Sequence, residues 1–350
     1  MKKSFWLVLL CVSLFVTTGF KHKKPSVVAP PAEKINLVWQ ADVPDQEANF
    51  NNLPKITGIN VVSPCWLEIA TTRGLIKNKI PDKKAVTMLK QKGYKVWPLI
   101  TNSFNPTLTH ALLSNPDARE NLRIGLLNLA DKYQFDGYNF DFENINDQDR
   151  DGLTTLIKEL SPVLKAKNLV LSMDVTMPSS TPNWSACYDR QELAKYLDYI
   201  MLMAYDQYTP AMRQRGSTAS LNWVTAGLES TLKQIPAEKL ILGIPLYSRL
   251  WQSSGTSSYA TGKTISMPAM EKTIQEQKAT PVWKPELGQF YVEYQKNGIT
   301  YSFWQENANS IVEKVKLVDR YKLPGIACWR KGFETEDIWP SIDSTLNPNR

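Results

Sequence analysis

The segment FDGYNFDFENI, Phe135 to Ile145, alternates polar with aromatic residues. In an extended strand successive side chains point to opposite faces. Asn139, Asp141 and Glu143 therefore share one face, and Tyr138, Phe140 and Phe142 share the other. Asp141 and Glu143 become neighbouring carboxylates. Their repulsion, together with partial burial, raises at least one pKa, and this makes a general acid available near neutral pH. The competing reading is a calcium site or a solvated loop, because Asp147, Asp149 and Asp151 follow. The later acids fit a solvated loop; the alternation before them does not.

Other chemistries have little to work with. The chain has two histidines, His22 and His110. A His-rich metal site is excluded, and a Ser–His–Asp or Cys–His mechanism would need His110 as its base. His110 lies in NPTLTHALLSNP, which reads as a surface helix. Beyond the N-terminal stretch Cys65, Cys187 and Cys328 have no metal-ligand spacing, and buried free thiols are expected. No glycine-rich phosphate loop is present. Carboxylates, tyrosines and tryptophans must carry any catalysis, with no metal and no cofactor expected.

The elements that position this segment read as an alternation of short apolar runs and longer amphipathic ones. Strands are expected at Ile35–Ala41, Gly58–Val62, Lys95–Ile100, Gly137–Phe142, Leu169–Val175, Tyr199–Ala204, Lys239–Pro245 and Gly325–Trp329. Helical patterns cover Pro81–Lys92, Ala118–Tyr133, Gly152–Ala166 and Leu221–Gln234. This rhythm predicts an α/β fold, a (β/α)8 TIM barrel. Residues 247–306 interrupt it with a stretch rich in Ser, Gly, Thr and aromatics and an Asn297-Gly298 turn. They are read as a small α+β insertion between strands seven and eight. A doubly wound sheet is the weaker alternative, because the first strand lacks a phosphate loop. In the barrel the aromatic face of Phe135–Ile145 packs on helices and the polar row faces inward. Glu143 then falls at the C-terminal end of its strand, where barrel enzymes hold their chemistry.

The composition, 43% hydrophobic and 21% charged, is that of a globular protein. The net charge of +7 is misleading. Residues 1–24 carry Lys2, Lys3, Lys21, Lys23 and Lys24 and no acid, so the rest is nearly neutral. A nucleic-acid partner is not expected. Residues 1–20 have the layout of an export signal: Lys2 and Lys3, an apolar run from Phe5 to Val16, then Thr17, Thr18 and Gly19. An uncleaved N-terminal anchor is the alternative, and would be the only membrane contact. Residues 21–34 read as a Pro-containing linker, and 35–345 as the catalytic barrel. The expected location is extracellular or in the cell envelope.

DGYNFDFE resembles the DGxDxDxE signature of glycoside hydrolase family 18, the chitinase family. MLMAYDQY (Met201 to Tyr208), LILGIPLYSRLW (Leu240 to Trp251) and GIACWR (Gly325 to Arg330) resemble its sixth, seventh and eighth strands. INLVWQ, GINVVSPCWLEI and WSACYDR are similar to the bacterial spore-cortex-lytic type of peptidoglycan N-acetylglucosaminidase. The resemblance covers roughly residues 35–340.

It implies a retaining glycosidase cleaving β-1,4-linked N-acetylglucosamine in peptidoglycan or chitin-type oligomers by substrate-assisted catalysis. Glu143 would be the general acid and then base, Asp141 would orient the acetamido N–H, and Tyr205 would donate its hydroxyl to that group. Trp329 would form the sugar floor or pack as a core Trp. Met203 and Asp206 would line the acetamido pocket, Asp206 with loop capping as its alternative. Arg249 would reach the sugar or pair with an acid. Trp39, Trp66, Trp97 and Trp251 read as core or rim packing, and Asp174 has no assigned role. One position departs from the signature: Asn139 stands where chitinases have Asp. The spore-cortex-type members also resemble Asn here, and Asp141 then cannot share a proton downward as in chitinases. The alternative function is a non-catalytic, chitinase-like carbohydrate-binding barrel.

Overall fold

The computed structural model describes residues 33–41, 54–254 and 259–348. The expected signal or anchor at 1–20 and most of the expected linker lie outside the described residues. Ile35–Gln40 forms β1 and Val61–Pro64 forms β2. A short antiparallel hairpin follows, β3 (Leu67–Ile69) and β4 (Ile76–Asn78). Asp82 caps α1 (Lys83–Gln91) by accepting from the Ala85 N–H at 2.6 Å. The next strand comes in two pieces, β5 (Lys95–Val96) and β6 (Leu99–Thr101). Helices α2 (Pro106–Ser114) and α3 (Pro116–Tyr133) lead to β7 (Gly137–Asp141). Then α4 (Arg150–Ala166) leads to β8 (Val170–Thr176), α5 (Arg190–Tyr196) to β9 (Tyr199–Met203) and α6 (Leu221–Thr231) to β10 (Leu240–Pro245).

A second sheet is built before the last barrel strand. β11 (Tyr247–Ser254), β12 (Thr261–Ser266), α7 (Met267–Gln277), β13 (Val282–Lys284), β14 (Gln289–Lys296) and β15 (Ile299–Gln305) follow one another. The strands pair antiparallel in the order β12-β11-β15-β14-β13. Asn297 and Gly298 join β14 to β15, both with positive φ, as a two-residue hairpin turn requires. The chain closes with α8 (Ala308–Arg320), β16 (Gly325–Trp329) and α9 (Ile338–Leu346).

The first sheet is a closed parallel ring. β1 pairs with β2 and β16, and the pairing runs on through β10, β9, β8, β7 and β6. β2 also pairs with β5. β5 and β6 are two halves of one strand, so the ring is complete. Across the break the Trp97 N–H donates to Val62 O at 3.0 Å and the Asn139 N–H to Pro98 O at 3.1 Å. This is a (β/α)8 barrel carrying an insertion between its seventh and eighth strands.

Two expected strands differ in detail. Gly58–Val62 is replaced by Val61–Pro64, because Gly58 has a φ of +88° and turns the chain. Lys95–Ile100 is split because Pro98 has no N–H for the ladder. The ring seam between β1 and β16 is tight: a Cβ on Gly325 would lie 1.9 Å from Ile35 O.

Two apolar layers result from strand alternation. Leu37, Trp39, Trp97, Leu99, Met201 and Ile241 pack inside the ring. Tyr138, Phe140 and Phe142 are fully buried outside it, with Leu122 and Leu126 of α3 and Leu153 and Ile157 of α4. The insertion is tied to α8 by a buried polar network. Glu306 accepts from Lys314 Nζ at 2.9 and 3.0 Å, from Ser310 Oγ at 2.6 Å and from Gln289 Nε2 at 2.6 Å. Removing Lys314 alone would leave that carboxylate buried and uncompensated.

Candidate active site

Asn139 and Asp141 stand on β7, and Glu143 follows two residues beyond Asp141 at the C-terminal mouth of the ring. The backbone at Glu143 is clamped. Asn102, just beyond β6, accepts from the Glu143 N–H at 3.1 Å and donates Nδ2 to its carbonyl at 2.7 Å. Tyr188 donates its hydroxyl to Phe142 O at 2.7 Å. These contacts hold the strand end without occupying the acid.

The electrostatics are those of a dry carboxylate cluster. Burial raises the Glu143 carboxyl well above the ordinary range, and Asp141 and Asp206 raise it further. Burial pushes Asp141 up to about 7. Its Oδ1 is buried without a hydrogen-bond partner. A buried acceptor of this kind is costly unless a ligand satisfies it.

Asn139 is fully buried and heavily engaged. Its Oδ1 accepts from Trp39 Nε1 at 2.7 Å and from Ser63 Oγ at 3.3 Å, while its Nδ2 donates to Asp174 Oδ1 at 2.8 Å. Asp174 of β8, given no role by the sequence, therefore belongs to the cluster. Burial and the charge of Asp141 raise its carboxyl well above the usual range.

The loops after β9, β10 and β16 complete the mouth. Tyr205 is half-buried, with its hydroxyl held strongly protonated by burial and by Asp174, Tyr247, Asp141 and Glu143. Its ring meets that of Tyr247 edge-on at 6.4 Å. Asp206 does not cap a loop: it accepts from Tyr247 Oη at 2.7 Å and from Arg249 Nη2 at 2.6 Å. Arg249 also donates to Thr264 Oγ1, so it is committed to an acid and to β12. Met203 ends β9, half-buried. Trp329 ends β16, half-buried, with its ring 6.1 Å from Trp39. Trp39, Trp66, Trp97 and Trp251 are all buried. His110 sits on α2, its side chain half exposed, 2.6 Å from Asp149.

The turn after β8 contributes residues that spacing alone did not reveal. Arg190, buried, donates to Thr176 O at 2.8 Å, Ser185 Oγ at 2.9 Å and Ser185 O at 3.1 Å. The WSACYDR segment is thus a brace: Arg190 fixes the turn and Tyr188 supports Phe142. That turn presents Trp184, 40% exposed, beside Phe104, 51% exposed, with ring centroids 6.2 Å apart. Asn144, next to Glu143, donates to Phe104 O at 2.9 Å, and the Ile145 N–H donates to Asn183 O at 3.0 Å. The two exposed rings therefore meet at the rim, their turns both tied to the Glu143 loop.

A family model described as glycosyl hydrolases family 18 matches residues 46–333. The uncharacterized glycosylase YvbX of Bacillus subtilis (strain 168) is 29% identical over 306 residues, covering 84% of this chain and 87% of that protein. The cortical fragment-lytic enzyme of the same organism is 24% identical, over 71% of this chain and 59% of that one. A chitinase from Chromobacterium violaceum ATCC 12472 superposes with a TM-score of 0.81, at 23% identity, over 89% of this chain and 99% of that chain. With the family model spanning the barrel from the β1–β2 connection to the turn after β16, this chain belongs to glycoside hydrolase family 18.

Proposed function

We propose that this protein is a retaining, substrate-assisted glycosidase that cleaves β-1,4-linked N-acetylglucosamine, with peptidoglycan as its preferred polymer and chitin-type oligomers as the second candidate. One observation carries the reading: Glu143, an acid whose carboxyl is raised well above the ordinary range, stands at the barrel mouth beside Asp141, whose buried Oδ1 has no partner. An acetamido N–H satisfies that oxygen. A neutral Glu143 protonates the glycosidic oxygen as the C1–O bond breaks. The acetamido carbonyl oxygen attacks C1 and forms the oxazolinium ion, so no second enzyme carboxylate is required. Water then attacks C1, giving its proton to the Glu143 carboxylate, as the oxazolinium C1–O bond breaks and regenerates the acetamido carbonyl, and the β configuration is restored.

The remaining residues have roles that follow from their places. Tyr205 donates its hydroxyl to the acetamido carbonyl. Trp329 forms the floor under the sugar ring, with Trp39 beneath it. Met203 lines the acetamido pocket. Asp206, held by Tyr247 and Arg249, borders it and adds to the rise of the Glu143 carboxyl that burial and Asp141 begin. Arg249 acts through Asp206. Asn139 holds Trp39 and Asp174 in register. The likeness to a cortical fragment-lytic enzyme supports peptidoglycan. That substrate lies outside the cytoplasm, in keeping with export through the N-terminal apolar run, cleaved or retained as an anchor. Cell fractionation checks this: protein confined to the cytosol overturns export.

Purified protein, incubated with peptidoglycan and with chito-oligosaccharides, is expected to release fragments ending in reducing N-acetylglucosamine. Mass spectrometry identifies them, and proton NMR at early times is expected to show the β anomer first. An initial α anomer rejects the retaining scheme. Binding without cleavage of either polymer favours the carbohydrate-binding alternative.

The exposed rings of Phe104 and Trp184 provide a stacking surface for a sugar beyond the scissile bond. Trp184→Ala is expected to raise KM on the polymer about three- to tenfold, the size of one aromatic contact, with kcat nearly unchanged. An unaltered KM on long substrates assigns Trp184 to packing alone.

A further inference from the structure

Asn139 leaves Asp141 without an acid below it on the same strand, yet the structure supplies one from the side. β7 and β8 run parallel, with Asn139 beside Ser172 and Phe140 beside Met173. The next pair in that register is Asp141 and Asp174, one on each strand and both on the inward face. Adjacent strands lie about 4.8 Å apart. Asp174 is 2% exposed, and its Oδ1 is pinned by Asn139 Nδ2 at 2.8 Å. Asn139 is in turn fixed by Trp39 and Ser63, so Asp174 cannot swing away.

We propose that Asp174 is a positioning residue that shares a proton with Asp141 across the β7–β8 pairing, so that Asp141 offers the substrate amide a fixed acceptor oxygen. This rests on the reading of Asp141 as the acceptor of the acetamido N–H. Two carboxyl groups facing inward from neighbouring strands, one fully buried and one half-buried, resist ionising together, so the pair retains one proton. The titratable groups facing Asp174 are Asp141 from β7, Glu143 from the turn beyond it and the Tyr205 hydroxyl from the loop after β9; none is a cation. The shared proton therefore answers the single charge of the pair, and Asn139 serves to aim Asp174 rather than to titrate. The site thus carries its second aspartate on the neighbouring strand.

The exchange of the two side chains tests this. Asn139→Asp alone puts a further acid against Asp174 and is expected to lower kcat at least tenfold. The double variant N139D/D174N, which moves the acid to β7 and the amide to β8, is expected to recover activity to within about threefold of wild type. Asp174→Asn alone keeps a donor beside Asp141 but removes the shared titration. The limb of the kcat/KM profile set by Asp141 is expected to move at least one pH unit lower. A double variant no better than N139D, or a D174N profile superimposable on wild type, reduces Asp174 to a structural acceptor for Asn139.

Carboxyl carbon NMR titration of the unmutated full-length protein provides a test that needs neither variants nor turnover. The Asp141 and Asp174 resonances are expected to follow two coupled steps, with one proton retained near neutral pH. Independent ionisation of both below pH 5 overturns the proposal even if the glycosidase reading stands. A coupled titration in a protein that cleaves no glycan sinks the glycosidase reading and leaves the shared proton intact.

Discussion

Glu143→Gln is expected to lower kcat on the cleaved polymer about 10²–10⁴-fold, the usual contribution of a positioned acid, while the substrate Kd changes by less than about threefold. Gln preserves shape and can still hydrogen-bond the glycosidic oxygen, but it has no proton of suitable acidity to transfer. The clamp on this position is through the backbone, from Asn102 and through Tyr188 at Phe142, so the variant keeps its fold. Its Tm is expected to be unchanged or higher, because a buried acid close to Asp141 and Asp206 is removed. Reducing-end release measures kcat, and calorimetric titration with an N-acetylglucosamine oligomer measures Kd. Turnover within tenfold of wild type moves the acid elsewhere in the mouth.

Asp141→Asn carries the second large effect, with two separable readouts. Its Oδ1 has no hydrogen-bond partner in the folded protein; in the proposed mechanism it aligns the acetamido group and stabilises the cation formed at C1. Losing one preorganised stabiliser of developing charge lowers kcat about 10²–10³-fold. Stability moves the other way. The folded-state pKa of Asp141 is raised to about 7 by burial, against an unfolded value of about 3.9. The folded state therefore favours the protonated form. This contribution to stability is complete below about pH 4 and is lost as pH rises through 7. Asn has no proton to lose, so the Tm of the variant is expected to exceed wild type at pH 8, with the gap closing toward pH 4. A loss of kcat below tenfold argues against substrate assistance. A Tm gap independent of pH means that Asp141 is not held protonated by the fold.

The parts of this molecule that repeat along the chain were legible in the sequence. Alternation in Phe135–Ile145 placed Asn139, Asp141 and Glu143 on one face, and Tyr138, Phe140 and Phe142 are buried on the other as that pattern requires. The strand–helix rhythm implied the barrel, and the break in it located the second sheet. The physical basis is local: a period of two, or of about 3.6, is written in consecutive residues. Proline acts locally too: Pro98 splits a strand that apolar content alone makes continuous.

What spacing did not reveal depends on which residues of distant segments face each other. Asp174 is 35 residues from Asn139 and reaches it only because β7 and β8 pair in one particular register. Phe104 and Trp184 meet at the rim because the Glu143 loop is hydrogen-bonded to both of their turns. Arg249 and Asp206 choose each other because β11 leaves the barrel beside the loop after β9. By itself the sequence determined the barrel, the polar row of Asn139, Asp141 and Glu143 along and just beyond β7, and the family, since these rest on local periodicity and contiguous motifs. Only the tertiary structure decided which acid Asn139 holds, which aromatics are exposed and which cation is already paired. Those outcomes are set by the register between strands whose connections, helices included, carry no local record of it.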